Sequence, residues 1–471
     1  MQIQCDEKQL HFQGLGPRSV VGDFDGGTMT SDAGGLLLRE IDLAMGIIDG
    51  FTSCFDDQRN QGAIEHPLRQ LVAQRVFGIC LGYEDLNDHE QLRYDPMIAA
   101  LCNRVDITGE DREREEDRGK ALAGKSTLQR FESAGSTIDP ASRYKKISYD
   151  ENLGERFFVD HFLRCYNNGE QPQEIVLDLD ATDDPLHGKQ EGRFYHGFYN
   201  SYCYLPLYIF CDEYLLAAKL RPSDIDGALG ADTELERIVE QIREVWPDVK
   251  IIVRGDSGFC REWLMSWCEE HRVDYLFGVA RNTRLRSAIA DEMQRARESY
   301  QKTGRANRVY RDFQYRTLRS WSLSRRVVGK AEYLAGGENP RFVVTSLPKN
   351  RWPARKLYEK LYCARGEMEN RIKEQQLYLF ADRTSSATMR ANQLRLWFSS
   401  VAYVLMNELR QVALNGTELA RAQCHTIRLK LLKIGARVTI SVRRVVIHMA
   451  GGYPYQALFH KALTRIQTVH T

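Results

Sequence analysis

The sequence lacks most of the features that assign a protein quickly. None of its eleven cysteines, at 5, 54, 80, 102, 165, 203, 211, 260, 268, 363 and 424, forms a Cys-x2-Cys pair. That excludes a zinc ribbon or a dithiol redox motif and leaves buried, reduced thiols as the expectation. No uninterrupted apolar run approaches the roughly 18 residues that a membrane-spanning helix needs. The N-terminus, Met1-Gln-Ile-Gln-Cys-Asp-Glu-Lys8, has neither the basic start nor the apolar core of a signal peptide, so a cytoplasmic location is expected. Internal repeats and low-complexity tracts are missing too. So is an excess of charge of either sign, the net charge being +1 over 471 residues.

That small net charge hides a segregated distribution. Residues 421–471 carry nine Lys/Arg and no acid, and residues 305–330 carry eight against Asp312 alone. Two basic surfaces of the kind that phosphate backbones require are therefore expected. A composition of 43% hydrophobic and 27% charged residues fits a soluble protein with a substantial core, and the length suggests two to four folding units.

The texture changes along the chain. Residues 1–168 read as mostly helical after a short extended entry, with helices following Ser31-Asp-Ala, Pro67 and Ser126. From Gln173 strands dominate. Glu174–Ala181 alternates, with Ile175, Leu177, Leu179 and Ala181 on one face and Val176, Asp178, Asp180 and Thr182 on the other. Tyr202–Phe210 and Tyr214–Leu220 read as strands, and Asp232–Val245 as a helix. Val249–Arg254, Glu262–His271 and Asp274–Val279 then read as strand, helix and strand. A mixed sheet flanked by helices is predicted, an α/β class. Residues 169–294 would form the first part of this core and 295–346 an Arg-rich β insertion. Residues 347–420 would complete the core with a helix after Pro353 and a long one over Ala387–Val412, leaving 421–471 as a basic C-terminal region.

Three acids stand out. Asp180 and Asp256 each close a predicted strand, and Glu369 lies within a predicted helix, separated by 76 and 113 residues. Carboxylates that distant in sequence are not local salt-bridge partners; brought together, they make an oxygen-rich pocket for hard divalent cations and phosphoryl transfer. Each also has a plainer reading. Asp178 and Asp180 are equally solvated acids at a strand end, and Asp256 an Asx-turn acid before Gly258. Arg365 and Glu369, spaced i, i+4, are equally a surface ion pair worth a few tenths of a kcal/mol. Asp180 is preferred over Asp178 because it lies nearer the strand's C-terminal end and precedes Ala181-Thr182.

The order strand-Asp180-Ala-Thr182, strand-Gly255-Asp256, β insertion, then helical Tyr362-x2-Arg365-x3-Glu369 resembles the bacterial insertion-sequence DDE transposases, in particular the DDE domain group 1 family. The segments Phe24-Asp-Gly-Gly, Ser31-Asp-Ala-Gly, Gly82 to Asp95, His187-Gly-Lys-Gln190 and Glu369-Asn-Arg-Ile-Lys-Glu extend the resemblance over most of the chain. It implies an RNase H-like fold in which Asp180, Asp256 and Glu369 are catalytic and hold two Mg²⁺ ions, with Mn²⁺ as a substitute. Its partners are then double-stranded DNA, as transposon ends and as target, and a second copy of the chain in a synaptic dimer. Tyr362 and Arg365 match positions that contact DNA phosphate. The related pattern carries Lys seven residues after Glu369, where this chain has Gln376; Lys373 is the substitute. Arg319, Arg325 and Arg326 of the insertion and Arg443 and Arg444 of the C-terminal region are the expected backbone contacts. Trp321 either stacks on an unpaired base or packs in a core. Competing readings are a metal-dependent nuclease that cuts without joining, a catalytically silent DNA-binding derivative and, more distantly, a two-carboxylate glycosidase.

Overall fold

The computed structural model describes residues 9–138, 141–142 and 144–469. Cys5 lies outside them; the ten other cysteines are unbridged, as the spacing implied. Among the described residues no helix is long and apolar enough to cross a membrane. The chain divides into two compact units: Ser53–Gln58 with Glu132–Asn407, and Met1–Thr52 with Arg59–Phe131 and Glu408–Thr471.

The first of these is built on one mixed sheet. In chain order its main elements are α1 (Glu151–Cys165), β1 (Glu174–Ala181), β2 (Leu207–Cys211), β3 (Tyr214–Lys219), α2 (Ala231–Val245), β4 (Lys250–Gly255), α3 (Glu262–Glu270) and β5 (Asp274–Val279). There follow α4 (Ala290–Thr303), β6 (Asn307–Tyr315), β7 (Arg325–Leu334), β8 (Arg341–Thr345), α5 (Gly366–Tyr378) and α6 (Met389–Glu408). The sheet runs β3-β2-β1-β4-β5-β8-β7-β6, with Gly337–Glu338 as a short ninth strand beside β7. β2 is antiparallel to both neighbours, while β1, β4 and β5 are parallel.

The alternation in β1 decides what each face meets. Ile175, Leu177 and Leu179 are buried with Phe162, Leu235, Ile238 and Ile242 of α1 and α2. Each such side chain contributes about 1.5–3 kcal/mol when fully buried. On the opposite face Val176 packs with Ile252, Leu276, Val328 and Val343 under Leu357, Tyr358 and Leu361. The even-numbered residues of β1, Asp178 and Asp180 included, therefore face the helical segment that leads into α5. That period of two is the first step in building the site.

Two expectations need correction. The segment 295–346 is not a free-standing insertion: it lies partly in α4, and β8, β7 and β6 continue the main sheet from the edge of β5. An edge strand offers unpaired N–H and C=O groups, and β8 supplies their partners. The predicted strand Tyr202–Phe210 is two strands. Pro206 has no N–H to donate, and the pairing breaks there. Ser201–Tyr204 joins Phe194–His196 and Asp184–Pro185 in a separate three-stranded sheet.

The second unit combines N-terminal helices, Leu36–Met45, Leu68–Leu81 and Pro96–Leu101, with the C-terminal hairpin Ala436–Ser441/Arg444–Met449 and helix Gln456–Val469. The basic tail is thus part of the same unit as the N-terminal region, Ala436 pairing with Thr30. The Ser31-Asp-Ala-Gly stretch makes the join. Buried Asp32 accepts from the Tyr83 hydroxyl at 2.7 Å and pairs with Lys433 at 2.6 Å. Gly34 lies so close that a Cβ would stand 2.0 Å from the Leu431 carbonyl oxygen. Within Gly82–Asp95, buried His89 lies between Gln74 at 3.0 Å and Arg75 at 3.2 Å, and Asp95 caps the next helix through the Met97 N–H. These recognisable segments serve packing and capping.

Candidate active site

The parallel register of β1 and β4 sets Arg254 opposite Asp178 and Gly255 opposite Leu179. One residue further, Asp256 emerges beside Asp180. The two aspartates of β1 meet different fates. Asp178 is buried and takes a two-pronged ion pair from the Arg254 guanidinium, Nε at 2.5 Å and Nη2 at 2.6 Å, and Arg254 also donates to the Leu361 carbonyl. Asp178 is therefore a clamp between sheet and helix.

Asp180 has no such partner. Its nearest cation is the Arg365 guanidinium, 3.6 Å away, whose other nitrogen donates to Glu369 at 2.5 Å. Asp256 completes the group, one carboxylate oxygen accepting from the Gly258 N–H at 2.7 Å in the local turn that its sequence suggested. Burial pushes the Asp180 carboxyl up to about 6; Arg365 opposes this, and the charges of Asp256 and Glu369 add to it. Arg365 thus pairs with Asp180 and Glu369, and Asp256 lies within electrostatic reach of the same group, although the three carboxylates do not all lie within 4.8 Å of one another. The Arg365–Glu369 i, i+4 pair exists, as part of this cluster.

The helix carrying Glu369 arrives irregularly. Ala354–Lys356 leads into a wide i→i+5 turn over Leu357–Tyr362, then a tight turn at Cys363–Arg365, before α5. Such turns shift the register of a helix face and are frequent at functional sites. Here Tyr362 and Arg365 are both brought to the sheet end. A Cβ at Gly278 would lie 2.6 Å from the Tyr362 hydroxyl and 2.9 Å from the Ser257 nitrogen, so only glycine fits. Beside Asp256 a cleft of about 470 Å³ opens, lined by Tyr362 and Arg365 together with Arg281, Arg341 and Phe342.

The remaining predicted contacts divide sharply. Lys373 is exposed one turn after Glu369, whereas Gln376 is tied to the Asp183 carbonyl at 3.1 Å. Arg319 is exposed, as are Arg443 and Arg444 at the C-terminal hairpin turn. The other three point inward. Trp321 is 5% exposed and packs edge-on against Tyr315, which leaves no face for a base. Arg325 is buried between Glu262 and Glu269, bonded to both at 2.7 Å. Arg326 is bonded to Asp312 and to the carbonyls of Leu347 and Trp352, each at 2.7 Å. The charges of the 305–330 segment are answered from outside it: Arg308 and Lys330 by Glu332, Arg311 by Glu292. Arg325, Arg326 and Lys330 are thus taken up by ion pairs away from solvent, while Arg305, Arg308, Arg311, Arg316 and Arg319 remain exposed.

Sequence reasoning missed Arg254 and Tyr199. The Tyr199 hydroxyl donates to the Ala181 carbonyl at 3.3 Å. Burial raises its phenol to about 12, the charges of Asp183, Asp180 and Asp256 contributing. The run Phe194-Tyr-His-Gly-Phe-Tyr-Asn-Ser-Tyr202 was the available signal.

Residues 12–471 match the family model for the transposase DDE domain group 1. The chain belongs to that family. It is therefore a DDE-type transposase, a class with nuclease and transposase activity that generally works with divalent metals. Among solved structures it is similar to a piggyBac transposase in a synaptic complex with hairpin DNA, at 11% identity and a TM-score of 0.38 over 86% of this chain and 80% of that one. No curated protein matches it.

Proposed function

We propose that this transposase moves a bacterial insertion sequence by cut-and-paste, using Asp180, Asp256 and Glu369 as catalytic residues that hold two Mg²⁺ ions, or Mn²⁺ in their place. The observation that carries this is the arrangement of the three carboxylates: two strand ends and one helix bring Asp180 and Glu369 onto Arg365 and Asp256 into electrostatic reach of Arg365 and Asp180, with negative charge in excess. Hard oxygen donors in that number suit divalent cations. The strand order β3-β2-β1-β4-β5 with β2 reversed supports the RNase H-like reading. When bound, the metals supply Lewis-acid charge at the scissile phosphate and a nucleophile of lowered pKa.

The protein's own groups then do the rest. Arg365 and Tyr362, which line the cleft beside Asp256, are the contacts for a phosphate oxygen, with exposed Lys373 one turn beyond Glu369 as a further one. Water attacks the phosphorus at the terminal inverted repeat and frees a 3′-hydroxyl. That hydroxyl attacks a phosphodiester of the target, whose own 3′ oxygen departs. The exposed Arg319, Arg443 and Arg444 contact DNA backbone, two copies hold the two ends, and the work is done in the cytoplasm.

The test is cleavage and joining of end-bearing duplexes by purified protein with and without Mg²⁺. Asp256→Ala is expected to bind ends but to cut at least about a thousandfold more slowly. Full cleavage by that variant, or cleavage in the presence of a chelator, would overturn the assignment. Cutting without joining would reduce the reading to a nuclease.

A further inference from the structure

The basic C-terminal region carries a hairpin that phosphate contacts alone do not explain. Ala436–Ser441 and Arg444–Met449 pair antiparallel, with Arg437 opposite His448, Thr439 opposite Val446 and Ser441 opposite Arg444. Paired residues share a face, and faces alternate along each strand, so these six side chains stand on one side. All six are exposed. The other side, Ala436, Val438 and Ile440 with Val445, Ile447 and Met449, is apolar throughout. At the base it is covered, Ala436 being 2% and Val438 5% exposed. The backbone is held there too: Ala436 and Arg437 pair with Thr30 and Met29, and the Val438 N–H donates to the Thr28 carbonyl at 2.8 Å. Covering the apolar side turns the polar side outward.

The chemistry of that polar face is one-sided. Arg437, Thr439, Ser441, Arg444 and His448 all offer hydrogen-bond donors, and the turn adds exposed Arg443. No acid follows Glu418 in the sequence. Among the described residues no acid pairs with Arg437, Arg443, Arg444 or His448, whereas Arg325 and Arg326 are matched by Glu262, Glu269 and Asp312. A partner rich in negative charge is therefore called for, and the shape narrows it. Two strands about 4.8 Å apart make, with their side chains, a ribbon roughly 10 Å wide. It fits the major groove of duplex DNA, about 12 Å across, and is too broad for the minor groove at about 6 Å. In a major groove the Arg437 fork matches guanine O6 and N7, the Val446 methyls match a thymine methyl, and Thr439 meets either kind of edge group.

We propose that the hairpin enters the major groove of duplex DNA and reads its sequence, Arg437 on a guanine and Thr439, Val446 and His448 on neighbouring bases. The proposal rests on the reading that Arg443 and Arg444 bind DNA. It goes beyond that reading, since phosphate contacts position a protein while base contacts select its site.

The test uses the full chain without divalent metal, so that binding is seen without cleavage. Wild-type protein selects a preferred duplex from a pool with a randomised centre, and fluorescence anisotropy compares that duplex with a scrambled one. Arg437→Ala is expected to weaken binding of the selected duplex about tenfold or more, and of the scrambled one less than about threefold. Reselection with this variant should lose one guanine from the preferred site. With wild-type protein, 7-deazaguanine at that position removes the major-groove N7 and should also weaken binding; with Arg437→Ala it should add nothing. The wild-type arm stands whatever the substitution does to folding. Equal losses on both duplexes, an unchanged site after reselection, or indifference to 7-deazaguanine at every guanine would each overturn the proposal. So would a dimer that Arg437→Ala converts to a monomer in sedimentation with site preference intact, which would make the polar face a contact between copies. The underlying reading fails separately, through a salt dependence of binding that Arg443→Ala/Arg444→Ala leaves unchanged.

Discussion

The C-terminal end of the central sheet and the Arg-rich strands β6 and β7 treat charge in opposite ways. At the sheet end, Asp180 and Glu369 share a single arginine with Asp256 in electrostatic reach, and burial holds Asp180 above its ordinary range. In β6 and β7 the arginines are matched by acids, Arg325 by Glu262 and Glu269 and Arg326 by Asp312. Matched charges build the fold, while crowded like charges weaken it and persist where a ligand or a reaction uses them. A count of arginines along the sequence does not tell these cases apart.

The contrast is sharpest between two residues of one strand. Asp178→Ala leaves Arg254 buried and unpaired, and is expected to lower stability by about 3–5 kcal/mol in chemical denaturation. Asp180→Asn should do the reverse. The folded state raises its carboxyl from 3.8 to about 6, so the proton is held more tightly in the fold, and ionisation weakens the fold as pH rises through that window. The variant should be more stable than the wild type by about 1–2 kcal/mol at pH 7, equal to it near pH 3, and inactive in cleavage. Equal destabilisation by both substitutions would erase the distinction between them.

Arg325→Ala comes next. It is expected to cost about 2–3 kcal/mol, discounted because Glu262 and Glu269 are partly exposed, and to leave the salt dependence of DNA binding unchanged. The double change Arg443→Ala/Arg444→Ala should do the opposite, leaving stability within about 0.5 kcal/mol and lowering the salt slope by about two. An altered salt slope in Arg325→Ala would show that the β6–β7 region does meet DNA.

A last comparison concerns a buried acid near the site. Asp184 has one carboxylate oxygen without a partner, the other accepting from Thr384 at 2.9 Å, and burial raises its carboxyl to about 8. The folded state keeps the proton while the unfolded chain loses it above about pH 4, so stability falls between there and pH 8. Asp184→Asn should remove that loss, a gain of a few kcal/mol (up to about 5) at pH 8 and none near pH 3, measured by thermal melts across pH.

Much of the fold was legible because periodicity is local. The alternation of residues 174–181 fixed which side chains face the helices, and strands and helices from Tyr214 to Val279 lie within a few residues of their expected bounds. The 305–346 strands were legible as strands, but their place on the edge of β5 was not, since edge pairing leaves no periodic mark. Pro206 did carry a local mark, and it splits what read as one strand.

The sequence by itself determined the family, the three acids in their order, and the face of β1 on which Asp178 and Asp180 stand. Tertiary structure alone decided which of those two aspartates is clamped by Arg254, that Trp321 and Arg325 turn inward, and that the polar face of the C-terminal hairpin stays outside. The physical reason is that a residue's type and spacing set which face of its own element it occupies. Whether its charge or ring finds a partner depends on elements tens or hundreds of residues away, and only closure of the chain brings these together.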